Sequence, residues 1–327
     1  SAEPGEVGWR RSGRQVGGGS SRDLRDPEAA LEGVHRAAPA GQGPPGFTKS
    51  RLNRPSRASM WAMTTDRPIG VIESGVGGLS VLTEIRRQLP AESVIYVADQ
   101  RWAPYGSRSL AEVRQRSVQL TGQLIEAGAK VIVVACNSAS AAALHHLREV
   151  YPHTPFVGME PAVKPAADRS RSGVVGVLAT EATFQGELFA TVVDRHSNGT
   201  EVVRIIGHRL ADLVEAGAAD GTETKELLAR YLEPPLDQGM DTLVLGCTHY
   251  AFLTPTIRSI VGDGVTLVDP APAVARQVGR VIAAADLEAP VGVVPVVVHA
   301  STLDPLRLAA QVEELTGVGP EPRPIRW

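Results

Sequence analysis

From Arg67 onward, short and almost unbroken apolar runs alternate with stretches whose apolar positions recur every three or four residues. The runs predict strands at 69–72, 93–98, 130–135, 155–158, 174–178, 201–206, 241–246, 265–268 and 293–299. Val and Ile dominate them, as in strands covered on both faces. Between the strands, residues 78–89 set Leu79, Leu82, Ile85 and Leu89 on one helical stripe. Residues 109–127 open on Ser109 and Glu112, a capping-box pair, and stop at Gly128. Helical patterns follow at 222–236, 270–285 and 304–315. Such alternation predicts an α/β fold with mainly parallel sheets. Nine strands suit two doubly wound units better than one barrel, although a barrel stays open at this point.

The 327 residues are 43% apolar and 21% charged, a globular composition whose length favours two domains. A net charge of −3 gives no electrostatic case for nucleic acid or an acidic membrane. No apolar run approaches the roughly 18 residues of a membrane-spanning helix. Residues 1–66 differ: they are rich in Gly, contain no Ile and carry excess positive charge. They are predicted to be a disordered extension, either an upstream leader with Met60 or Met63 as alternative starts, or a regulatory arm.

The two cysteines sit in matching surroundings. Lys130-Val-Ile-Val-Val-Ala-Cys136-Asn137-Ser138 echoes Asp241-Thr-Leu-Val-Leu-Gly-Cys247-Thr248-His249. Each Cys ends a predicted strand, the edge where open α/β sheets bind ligands, and lies near a helix start that favours a thiolate. Thiol chemistry is the favoured reading. The competing readings are two buried core residues, a disulfide, or a zinc site using Cys247 and His249. Two cysteines make no disulfide framework and fit a reducing, cytoplasmic setting. Only four lysines (Lys49, Lys130, Lys164, Lys225) are available to anchor a cofactor.

A third strand end carries Glu73-Ser74-Gly75-Val76-Gly77-Gly78, whose glycines permit close backbone approach and an anion seat, but whose spacing fits neither a dinucleotide fingerprint nor a P-loop. A fourth, Pro104-Tyr105-Gly106, follows the strand at 93–98 and reaches the same edge.

Together, Ile-Glu73-Ser74-Gly-Val-Gly-Gly, Pro104-Tyr105-Gly106, Ala-Cys136-Asn137-Ser138, Gly-Cys247-Thr248-His249-Tyr and Val-Thr-Leu-Val-Asp269-Pro resemble glutamate racemases in order and spacing, over residues 68–318. The resemblance implies two doubly wound α/β domains facing each other across a central cleft: residues 67–161 plus 269–327, and residues 162–268. It implies racemisation of glutamate by two thiols without a cofactor or metal, supplying D-glutamate for peptidoglycan. Cys136 would deprotonate the D-enantiomer and Cys247 the L-enantiomer, with Glu73 influencing the first thiol and His249 and Glu215 assisting the second. Glu73, Ser74, Asn137, Ser138, Thr248 and His249 would surround the amino and α-carboxylate groups. Pro104, Tyr105 and Gly106 would receive the side-chain carboxylate. The implied partner is the small-molecule substrate, in the cytoplasm, with no nucleic acid and no membrane; a homodimer is left open.

Four positions depart from the family pattern: Glu73 stands for the usual Asp, Ser138 for Thr and Ala251 for Pro, and Ile206-Gly207-His208 lacks a Cys-Pro pair. A racemase or isomerase of aspartate or another acid is therefore a second reading, and a non-catalytic racemase-like binding protein a third.

Overall fold

The computed structural model describes residues 67–196, 199–320 and 324–327. The predicted extension, residues 1–66, lies outside the described residues. The strands are β1 (Ile69–Glu73), β2 (Val94–Ala98), β3 (Val131–Val134), β4 (Phe156–Gly158), β5 (Val174–Ala179), β6 (Glu201–Ile206), β7 (Thr242–Gly246), β8 (Thr266–Val268), β9 (Val297–Ser301) and β10 (Ile325–Arg326). The helices are α1 (Leu79–Gln88), α2 (Leu110–Glu126), α3 (Asn137–Val150), α4 (Val163–Ala167), α5 (Glu181–Gln185), α6 (Glu187–His196), α7 (Leu210–Glu215), α8 (Thr222–Asp237), α9 (Thr254–Val261), α10 (Ala271–Ala284) and α11 (Pro305–Thr316). No helix among the described residues is long and apolar enough to cross a membrane.

Two parallel sheets result, ordered β10-β9-β2-β1-β3-β4 and β6-β5-β7-β8. Both are doubly wound, the expected class. Alternation along each strand explains the unbroken apolar runs. Ile69, Val71, Val94, Tyr96, Val131 and Val133 join one core. Their neighbours Ile72, Ile95, Val97, Ile132 and Val134 join the other. In the second sheet Val175, Val177 and Val244 face one way, while Leu178, Leu243 and Leu245 enter the core that also holds Val71. The chain leaves the first sheet after β4 and returns to it at β9.

The predicted capping box is present: Ser109 Oγ accepts from Glu112 N at 3.3 Å, and Glu112 Oε2 accepts from Ser109 N at 3.2 Å. One strand expectation needs correction, and one strand was not expected. The run predicted at 293–299 pairs only from Val297, opposite Val94. Val294 ahead of it is 79% exposed, and Pro295 has no N–H to give a ladder. The short β10, just after Pro324, carries too little pattern to be predicted.

Candidate active site

Because both sheets are parallel, every strand delivers its C-terminal end to the same edge. Cys136 follows β3 as the N-cap of α3, and Cys247 follows β7 as the N-cap of a short 3₁₀ helix, Thr248–Leu253. Both are free thiols. At 5% and 7% exposure they are buried without being wholly enclosed.

Each sulfur leads to a carboxylate, and each carboxylate is tied to the opposite sheet. The Cys136 thiol lies 3.9 Å from Ser74 Oγ. Ser74 donates from Oγ and from its backbone N to Glu73 Oε1, at 2.7 and 2.8 Å. Glu73 Oε2 accepts from Thr248 Oγ1 at 2.9 Å, across from the second sheet. On the other side, Cys247 Sγ is 3.7 Å from His249 Nδ1. His249 Nε2 is 2.8 Å from Glu215 Oε1, which also accepts from Val76 N of the first sheet's glycine loop at 2.7 Å. Both ring nitrogens of His249 are thereby engaged.

The loop after β1 must be glycine-rich to let this happen. A Cβ on Gly75 would stand 1.7 Å from Glu215 Oε1, and one on Gly77 2.4 Å from His249 Nδ1. Tyr96, buried under the loop, donates to Gly75 O at 2.7 Å.

Charges in this cluster are strongly shifted. Burial pushes the Cys136 thiol well up, reinforced by Glu73 and the Cys247 sulfur. Burial also pushes the Glu73 carboxyl up, against the charge of His249 and the hydrogen bonds of Ser74 and Thr248. At His249 burial opposes the positive charge, but the Cys247 sulfur and the Glu215 carboxylate outweigh it, so the imidazole is held well above its ordinary value. Burial raises Glu215, yet its bond to His249 and the amide of Val76 bring it below the usual carboxylate range.

Around the thiols are groups suited to a polar ligand. Asn137, at the start of α3, has both amide atoms buried and without a hydrogen-bond partner among the described residues. A buried polar group of this kind costs stability unless a ligand satisfies it. Ser138 Oγ is 2.9 Å from Thr180 Oγ1. Tyr105 spends its hydroxyl on Asp99 Oδ2 at 2.5 Å, and Arg116 grips the same carboxylate at 2.8 and 2.9 Å. That clamp leaves the backbone of residues 104–106 against Thr180, which a Cβ on Gly106 would meet at 2.7 Å. Pro104 and Gly106 line a cavity of about 80 Å³ with Thr180, Gly207 and His208.

Residues 69–278 match a family described as Asp/Glu/Hydantoin racemase. A glutamate racemase of Roseiflexus sp. (strain RS-1) is 49% identical over 250 residues, covering 76% of this chain and 92% of that one. This chain belongs to the glutamate racemase family. It is therefore an amino-acid racemase, an isomerase. Two solved glutamate racemases share its fold. The enzyme of Francisella tularensis, in complex with D-glutamate, has a TM-score of 0.70 at 27% identity and covers 80% of this chain and 96% of its own. That of Escherichia coli, in complex with L-glutamate, gives 0.69 at 33%, covering 80% and 97%.

Within this racemase, Cys136, Ser74, Glu73 and Thr248 form one hydrogen-bonded chain and Cys247, His249 and Glu215 a second, the two meeting at the consecutive residues 247–249. Asn137 and Ser138 begin the helix beside it. Glu215, which ends α7, is buried rather than a solvated helix end. Pro104, Tyr105 and Gly106 make no hydrogen bond to the cluster and reach the second sheet through Thr180. Sequence reasoning missed Thr180, although it follows β5 and caps α5, the same strand-end signal that marked both cysteines. It also missed Asp99, and it missed Gln311 and Arg307, whose partners are distant in sequence.

Proposed function

We propose that this racemase interconverts L- and D-glutamate by a two-thiol mechanism that uses no cofactor, and that it supplies D-glutamate for peptidoglycan in the cytoplasm. The observation that carries the reading is the pair of cysteines on facing strand ends, each linked to a carboxylate held by the other sheet.

Inversion at an α-carbon requires a base on one face and an acid on the other. His249 Nδ1 stands 3.7 Å from Cys247 Sγ, close enough to exchange a proton with it. Burial and Glu73 keep Cys136 in the thiol form. In this resting state Cys247 takes the α-proton of L-glutamate and Cys136 delivers its own proton to the opposite face, giving D-glutamate. The sulfurs have then exchanged roles, and D-glutamate returns by the reverse route. Asn137, Ser138, Ser74 and Thr248 hold the amino and α-carboxylate groups, and the free amide of Asn137 stabilises charge on the carboxylate as the proton leaves. The backbone of residues 104–106 receives the side-chain carboxylate. Lys130 is ion-paired with Glu92 at the start of β3, the end remote from Cys136, so this lysine does not serve the site.

Circular dichroism of L- and D-glutamate incubated with the enzyme and no added cofactor tests the substrate assignment, with aspartate alongside. Both glutamate enantiomers are expected to reach the racemic mixture, and aspartate to turn over far more slowly. Faster turnover of aspartate, or none of glutamate, contradicts it.

A further inference from the structure

The two-thiol chemistry uses the side chain of Glu215 but not its backbone carbonyl, and that carbonyl is held by two side chains as well. It closes α7, where helix carbonyls lose their intrahelical partners. Gln311 Nε2 donates to it at 2.8 Å and Arg307 Nη2 at 3.1 Å, both from α11. Gln311 is itself held, its Oε1 accepting from Gln100 Nε2 at 2.6 Å. Gln100 Oε1 in turn accepts from Ser301 Oγ at 2.8 Å. Ser301, Gln100 and Gln311 are all buried. Every amide in this chain donates through nitrogen and accepts through oxygen, so the relay runs one way, from the end of β9 to the end of α7.

The relay starts in the first sheet and ends on the second. Glu215 is thus fixed from the first sheet on both sides: Val76 N on its carboxylate, and Gln311 with Arg307 on its carbonyl. We infer that Gln311, supported by Gln100 and Arg307, is a positioning residue for the second thiol: it sets the end of α7, hence the Glu215 carboxylate, hence the angle at which His249 faces Cys247. Cys136 has no link to this relay, its own support running through Ser74 and Glu73. The inference rests on the two-thiol reading, but its test reads the thiols separately.

The test is alkylation of the full-length, substrate-free protein by iodoacetamide, with each cysteine followed by peptide mass mapping. Gln311→Leu is expected to slow alkylation of Cys247 severalfold and leave Cys136 unchanged. It should also lower kcat/KM for glutamate by about tenfold or more, since small misplacements of a catalytic group are costly. Arg307→Met should act in the same direction and Arg307→Lys should restore the wild-type ratio. Because Arg307 is exposed, these variants read the same ratio even where Gln311→Leu does not fold. Gln100→Leu combined with Gln311→Leu should be no worse than either alone, as both cut one relay. A change confined to Cys247 supports the inference. A change shared by both thiols, as from general loosening, or seen in neither, overturns it. Turnover that survives loss of both cysteines would instead refute the two-thiol reading, whatever the alkylation ratio.

Discussion

Thr248 Oγ1 donates to Glu73 Oε2 at 2.9 Å, so the residue after one cysteine holds the carboxylate that serves the other. Val76 N and Glu215 Oε1 make the reciprocal tie at 2.7 Å. The supports of the two thiols are therefore crossed between the sheets. Thr248→Val keeps the shape and removes the donor, and kcat/KM for glutamate should fall by about tenfold to a hundredfold with the fold intact. Enantiomers have equal free energy, so kcat/KM must fall equally in both directions. Initial rates from L- and D-glutamate check both statements at once.

Glu215→Gln tests the charge behind His249. Burial works against the imidazolium, while the Cys247 sulfur and Glu215 keep it protonated well above its ordinary range. Removing the Glu215 charge lets the imidazole lose its proton at lower pH. The alkaline limb of the kcat/KM profile should move to lower pH, with a loss of about a hundredfold near neutrality. An unmoved alkaline limb would contradict the role given to this pair.

Gly75→Ala puts a methyl 1.7 Å from Glu215 Oε1, whereas none of the described residues lies within 4 Å of a Cβ at Gly264. Gly75→Ala should abolish turnover while β1 still pairs. Gly264→Ala, far from any neighbour, should leave kcat/KM within about twofold, as surface changes do. The two variants, compared in one racemisation assay, separate close approach from the general cost of replacing glycine.

Much of this was legible in the sequence because it is local. The runs around Ile69, Val94 and Val131 are apolar at both parities, and both faces of the first sheet are covered. Cys136 and Cys247 declared themselves by their place after a buried strand and before polar residues. What local pattern does not carry is pairing over distance. Gln311 lies mid-helix and meets Gln100 across 211 positions. Glu215 is implied by the resemblance alone, and no local pattern shows its tie to Val76, 139 positions away. The run from Val293 failed for the opposite reason: its apolar residues look like a strand, but Val294 faces solvent before the ladder begins.

His299 gives a stability prediction remote from the thiols. Burial, helped by Arg86, lowers its pKa to about 4, and its ring packs 6.1 Å from that of Tyr96. The folded protein keeps it neutral, whereas the unfolded chain protonates it below its ordinary value. Its contribution is therefore complete above pH ~6.5 and is lost as pH falls through about 4, a change of about 3 kcal/mol. His299→Leu cannot take up that proton, so it should lose less stability than wild type between pH 7 and 4. Urea unfolding of both proteins at the two pH values measures the difference.

The most direct test of the two-thiol account is α-proton exchange of L- and D-glutamate in D₂O with no added cofactor, comparing wild type, Cys136→Ala and Cys247→Ala. Wild type is expected to incorporate deuterium together with inversion, and neither variant to racemise. Inversion that persists in either variant, or that appears only when pyridoxal phosphate is added, would contradict it.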